Sequence, residues 1–251
     1  MTDASDSDAI AQNIQSVLHN IRRAADRVGR QSDTIRLIAV TKSVSVSRIR
    51  HAIAAGVRLF GENRLQEALP KIASFGPEEG LGWHFIGRLQ RRKVKSVVRA
   101  FGMIQSVDSL ELAAEINHRA EEAGVCQEIL LEVNIGGEPT KAGFSIPAVS
   151  DALPVLDTLS HLSVKGLMAV PPPTSEAESA RLYFRRLSEL ARSFSRVDLR
   201  RVRMDELSMG MSNDYETAVE EGATFVRVGT AIFGSRSFAS PERQVPKTLR
   251  R

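Results

Sequence analysis

LIAVTKSVSVSRI, residues 37–49, joins the end of a short apolar run to a lysine, Lys42, that follows almost at once. Extended back to Ile35, the run IRLIAV (35–40) has the length and continuous hydrophobicity of a strand buried on both faces. If that strand belongs to a parallel barrel, its C-terminal end opens at the mouth, where such folds carry their chemistry. A lysine there is placed to form an imine with a carbonyl compound. A lysine after a strand is more commonly a solvated loop residue, so the reading turns on what surrounds it. An amine acts as a nucleophile only when neutral. From its reference pKa near 10.4 that requires burial or a nearby cation, and Arg227, whose strand abuts the first when a barrel closes, is the candidate cation.

The rest of the chain supplies the barrel. Seven further strand candidates follow at 57–60 (VRLF), 83–86 (WHFI), 103–107 (MIQSV), 129–135 (ILLEVNI), 164–170 (VKGLMAV), 204–209 (MDELSM) and 224–228 (TFVRV). Helical signals lie between them. Asp108 and Glu111 have the spacing of a capping box for a helix over 109–123, ended by Gly124. Ser175 and Glu178 do the same for a helix striped by Ala180, Tyr183, Phe184, Leu187, Leu190, Ala191 and Phe194. Ser212 is placed to cap the short helix NDYETAVEE, ended by Gly222. Ahead of all of them, Ile10, Ile14, Val17, Leu18, Ile21, Ala25 and Val28 recur at helical spacing, with Gly29 as the stop. The pattern predicts an α/β chain folded as a single (β/α)8 TIM barrel with an extra N-terminal helix over residues 1–234, and a polar, loosely held tail over 235–251. An open doubly wound sheet is the alternative; no GxGxxG turn after the first strand supports it.

Composition narrows the function classes. Of the 251 residues, 42% are hydrophobic and 25% charged, ordinary for a soluble domain. The single cysteine, Cys126, can neither form an internal disulfide nor build a metal cluster, which fits a reducing cytoplasm. The polar start MTDASDSDAI is unlike a signal peptide, and no apolar run is long enough to cross a bilayer. The net charge is +4. Its basic clusters, Arg88, Arg91, Arg92, Lys93, Lys95 and Arg99, then Arg196, Arg200, Arg201 and Arg203, lack the interleaved aromatics of a nucleic-acid platform and read as solvated faces.

The strand ends, taken in order, place Lys42, Gly61-Glu62-Asn63, Gly87, Asp108, Asn134, Met168, Ser208-Met209-Gly210-Met211-Ser212 and Arg227-Val228-Gly229-Thr230 on one rim. The segments after strands seven and eight have the make-up of a phosphate site: hydroxyls at Ser208 and Ser212, glycines at 210 and 229 that admit an anion, and a helix start near Asn213. The same residues also serve as helix caps and tight turns. His84 inside WHFIG reads as a hydrogen-bonded core residue before an acid or base. Asn63 suits either a ligand hydroxyl or a helix cap. Lys141, in NIGGEPTKAGF, is a second basic group near the mouth.

The segments LIAVTKSVSVSRI, GVRLFGENRLQEALPKI, WHFIGRLQRRKVK, LEVNIGGEPTKAGF, GLMAVPPP and LSMGMSNDYETAVEEGATFVRVGTAIFG together resemble the pyridoxal phosphate homeostasis proteins, relatives of the barrel domain of alanine racemase. They span residues 37–234 in the family's order. The resemblance implies that pyridoxal 5'-phosphate (PLP) is carried as an imine on Lys42. It implies that Ser208, Gly229 and Thr230 hold the phosphate and that Arg227 faces the pyridine nitrogen. Asn63 would lie near the ring, and Met168 and Met211 would line the pocket. After WHFIG, Arg91-Arg92 stand where that family usually shows a polar residue and an asparagine.

Three functions share these features. The first is a PLP-binding homeostasis protein, a cytoplasmic monomer that buffers PLP or passes it to PLP-dependent apoenzymes. The second is an amino-acid racemase, which needs a proton-transfer group on each ring face; in alanine racemases a tyrosine from a separate domain serves. This chain has two tyrosines, Tyr183 on a helix stripe and Tyr215 in a first helical turn. The third, an imine-forming aldolase with a phosphorylated substrate, shares the lysine and phosphate site but not the family segments. The first is the expectation.

Overall fold

The computed structural model describes residues 3–76, 80–173, 176–194 and 198–234. Eight parallel strands close on themselves in sequence order: β1 (Arg36–Val40), β2 (Leu59–Glu62), β3 (Gly82–Phe85), β4 (Met103–Val107), β5 (Gln127–Glu132), β6 (Leu162–Met168), β7 (Val202–Ser208) and β8 (Phe225–Val228). Helix α1 (Asp3–Arg27) precedes them. The connecting helices are α2 (Val46–Ala54), α3 (Leu65–Phe75), α4 (Val94–Val98), α5 (Leu110–Ala123), α6 (Ile146–Thr158), α7 (Arg181–Phe194) and α8 (Tyr215–Glu220), and α9 (Thr230–Phe233) follows the last strand. All eight expected strands are present, as is the N-terminal helix. β4 matches its expected bounds and the other ends differ by at most three residues, because the apolar run marks a strand's burial rather than its last ladder bond.

Period-two alternation sorts each strand into two layers. One set of side chains faces the helices and makes a continuous aliphatic shell. The other set fills the barrel, where Ile38, Met103, Leu130, Met168 and Phe225 form a separate cluster. Each of these five is at most 3% exposed, and burying one such side chain stabilises the fold by about 1.5–3 kcal/mol. The barrel closes where β8 pairs with β1, Ile38 opposite Arg227 and Ala39 opposite Val228. Helix α1 packs across α2, α8 and α9, with Asn13 donating to the Ile232 carbonyl and Asn20 to the Tyr215 hydroxyl. No helix among the described residues is long and apolar enough to cross a membrane.

Two capping expectations change. Ser109, not Asp108, caps α5, its hydroxyl accepting from the Leu112 amide, and Gly124 ends the helix in the left-handed region. From the position directly before the helix, the hydroxyl reaches the amide of the third helical residue. Ser212 does not cap α8, which starts at Tyr215 after Asp214. Ser175 and the 235–251 tail lie outside the described residues; α7 itself is preceded by a 3-10 turn over Ala177–Ala180. Cys126 is exposed with a free thiol.

Candidate functional site

The loops at the C-terminal ends of the strands surround a cavity of about 900 Å³. Lys42, Asn63, Met211, Arg227, Gly229 and Thr230 line it, gathered from the ends of β1, β2, β7 and β8. The two other residues singled out from the sequence are not in that wall. Met168 points into the barrel interior and is 1% exposed. Ser208 is fully buried beneath the cavity, its hydroxyl taken up by neighbours.

Lys42 is half-buried in the turn that follows β1. The turn is tight: Ser43 adopts a left-handed φ of 61°, a conformation unusual for a residue with a side chain. Across the cavity, the loops after β7 and β8 are tied together. Ser212 Oγ accepts from the amides of Gly229 and Ala231, both at 3.3 Å. This explains why Ser212 does not cap α8: its hydroxyl bridges to the last βα loop instead. Thr230 begins α9, a single turn whose Ile232 and Phe233 amides bond back to the Gly229 carbonyl. Gly210 has φ +86°, and a Cβ there would lie 2.5 Å from Ala218 Cβ, so only glycine lets this loop fold onto α8. The Asp214 carboxyl accepts from the Met211 amide at 2.6 Å. Burial pushes its pKa up, against the Met211 amide and Arg227, which lower it.

Arg227 stands between the two sides. It is buried, and burial lowers its pKa to about 10, opposed by the attraction of Glu132 and Asp214. It donates through Nη1 to Ser208 Oγ at 2.6 Å and through Nη2 to the Ala169 carbonyl at 2.9 Å. A guanidinium only donates, so the Ser208 hydroxyl proton goes on to Gln105 Oε1 at 2.7 Å. That turns the Gln105 amide nitrogen toward His84 Nδ1, 2.9 Å away, and makes Nδ1 the acceptor of a neutral imidazole. Burial first, and then Arg36, hold the His84 pKa down to about 4. His84 is thus a hydrogen-bonded core residue, the end of a polar chain that orients Arg227. Glu132, inside the same upper barrel, has its carboxyl pKa raised by burial and by Asp108.

Asn63 reaches the wall because Gly87 leaves room: a Cβ at 87 would meet the Asn63 carbonyl oxygen at 2.3 Å. Asn63 Oδ1 is buried without a hydrogen-bond partner. Lys141 also lines the cavity, held by Glu138 at 2.6 Å and the Pro171 carbonyl at 3.3 Å. Two participants escaped the sequence reading. Gln105 looks like one more residue of a buried strand, and its role exists only across the barrel. The Glu62, Glu67 and Lys71 group beneath Lys42 left one trace, the i,i+4 spacing of Glu67 and Lys71.

The residues fit PLP chemically: a primary amine, a hydroxyl- and amide-rich turn, a guanidinium and an unsatisfied carbonyl acceptor share one cavity. The sequence model of the family described as "Alanine racemase, N-terminal domain" matches residues 12–237. The chain is 41% identical over 235 residues to the pyridoxal phosphate homeostasis protein of Pseudomonas aeruginosa, covering 92% of this chain and 98% of that one. It is 40% identical over 230 residues to the protein of that name in Aquifex aeolicus, covering 90% and 98%. Among solved structures, PipY of Synechococcus elongatus, with PLP bound, superposes with a TM-score of 0.79 at 36% identity, covering 90% of this chain and all of that one.

Proposed function

This chain belongs to the alanine racemase N-terminal domain family and, within it, to the pyridoxal phosphate homeostasis proteins, and from that premise we propose that it binds PLP reversibly through Lys42, buffers it and delivers it to apoenzymes in the cytoplasm. The observation that carries the reading is the meeting of Lys42, Arg227 and the Ser212–Gly229–Thr230 turn in one cavity. PLP supplies an aldehyde that condenses with a primary amine and releases water, a linkage that water reverses. Lys42 would present that amine. Thr230 would hold the phosphate through its amide and hydroxyl, with Gly229 beside it in the turn and Ser212 bracing their loop. Asn63 would accept from a ring hydroxyl, and Met211 would cover the pocket.

Arg227 would face the pyridine nitrogen. Having no acceptor, it disfavours a proton there, since two cations would then meet. An unprotonated ring is a weaker sink for a carbanion, so the site favours storage over turnover. Neither tyrosine lines the cavity; Tyr215 is buried, with its hydroxyl accepting from Asn20 at 3.1 Å. A racemase of the alanine racemase kind would need one of them there.

Borohydride treatment of the PLP-loaded protein followed by peptide mass analysis is expected to place the pyridoxyl group on Lys42. Labelling of a different lysine would refute the assignment. The same preparation should racemise alanine negligibly, and robust turnover would favour the enzyme.

A further inference from the structure

Lys42 is held in place by groups that the function above leaves unused. The peptide before it presents the Thr41 carbonyl, which accepts from Lys71 Nζ at 2.7 Å. The peptide after it presents the Ser43 amide, which donates to Glu67 Oε1. Lys71 and Glu67 lie one turn apart on α3 and are paired at 2.5 Å. Lys71 also meets Glu62 Oε1 at 2.9 Å, and the same oxygen accepts from the Thr41 hydroxyl at 2.8 Å. Thr41 and Glu62 are fully buried, and Lys71 is 8% exposed. Glu62 Oε2 is buried without a partner.

Buried ion pairs of this kind add little stability beyond what apolar residues of the same volume would give. Their value lies in geometry, and here the two peptide planes flanking one α-carbon are fixed by the two members of one ion pair, Lys71 and Glu67. The Ser43 backbone, at a left-handed φ, is kept there by the bond to Glu67 and by the Val44 amide closing onto the Thr41 carbonyl at 3.0 Å. Lys71 spends its three donors on Thr41, Glu62 and Glu67, so it offers no free lone pair to an aldehyde.

We propose that Lys71, Glu67 and Glu62 form a clamp that aims Lys42 into the cavity, making them positioning residues for the capture of PLP. This rests on the reading of Lys42 as the amine that takes PLP. The clamp selects one lysine: it immobilises the backbone of Lys42 and occupies the amine of Lys71.

The test follows the rate at which added PLP becomes fixed on Lys42, trapped with borohydride at intervals and read by peptide mass, in the full chain. Glu67→Ala should slow capture about tenfold or more, as misplaced reacting groups do, and raise the share of label on other lysines while thermal unfolding changes little. Glu67→Gln keeps an oxygen for the Ser43 amide and should recover capture to within about threefold of wild type, a neutral acceptor being roughly half as strong. If Glu67→Ala does not accumulate folded, Glu67→Asp, one methylene shorter, should show the same slowing. Wild-type rate and site selectivity in the Ala or Asp variant would overturn the clamp. Slowing in Glu67→Gln equal to that in Glu67→Ala would trace the effect to charge and overturn it as well. Failure of the wild-type chain to label Lys42 would instead sink the reading on which the clamp rests.

Discussion

The filling of the barrel and the buried layer around its mouth are built from opposite materials. At mid-height Ile38, Met103, Leu130 and Phe225 interlock with Met168 as a dry plug. Toward the mouth Gln105, Ser208 and Arg227 inside the barrel, and Thr41 and Glu62 on the side facing α3, are just as buried but polar, each tied to a named partner. The plug gains stability from shape and water exclusion. The upper layer gains little net stability from its bonds, because it gave up hydration to make them. What it gains is a fixed direction for Lys42 and Arg227. The contrast separates groups that keep the molecule folded from groups that aim its chemistry, and mutation can test that separation from both sides.

The largest expected effect falls on the upper side. Lys42→Ala should abolish the yellow colour and the pyridoxyl label altogether. Its stability should change by no more than about 0.5 kcal/mol, since a half-buried turn residue makes little core contact. An imine-type absorption persisting in that variant would remove Lys42 as the anchor. Next, Leu130→Ala should cost about 2–5 kcal/mol in denaturant unfolding through lost burial and a cavity, while the folded fraction still takes up PLP on Lys42. Loss of PLP capture in the folded variant would erase the division between plug and site.

The third test addresses the boundary, where His84 ends the polar chain against Phe225, their rings 5.3 Å apart. Its pKa is about 4 in the fold against an ordinary 6.5. The unfolded chain therefore binds a proton there before the native one does. Stability conferred by keeping His84 neutral is intact above pH 6.5 and is lost as pH falls toward 4, by up to about 3 kcal/mol. Urea titrations across that window should show the loss in the wild type and a shallower slope in His84→Gln. Equal slopes would mean that the imidazole is not held neutral.

How much of this was legible beforehand varies by element. The eight strands could be read because a strand covered on both faces must be apolar along its length, whatever it packs against. The rim position of Lys42 and the glycine-rich turns after β7 and β8 followed from strand order. The caps were less readable: Asp108 and Ser109 both have capping chemistry, and only backbone dihedrals separate them. Ser208 and Ser212 posed a harder choice. Both are hydroxyls beside a glycine, yet one supports Arg227 from below and the other bridges two loops at the cavity. The residues alone offered both hydroxyls and the resemblance implied Ser208; of the two, Ser212 lines the cavity.

Local pattern was enough for the strand count, the barrel's order and the lysine at its mouth, because period, burial and turn chemistry act over a few neighbouring residues. Partners far apart along the chain, such as Ser208 with Gln105 and Lys71 with Thr41, were decided only when the barrel closed. A hydrogen bond depends on ångström-scale placement of two groups, and no spacing rule within one segment conveys that.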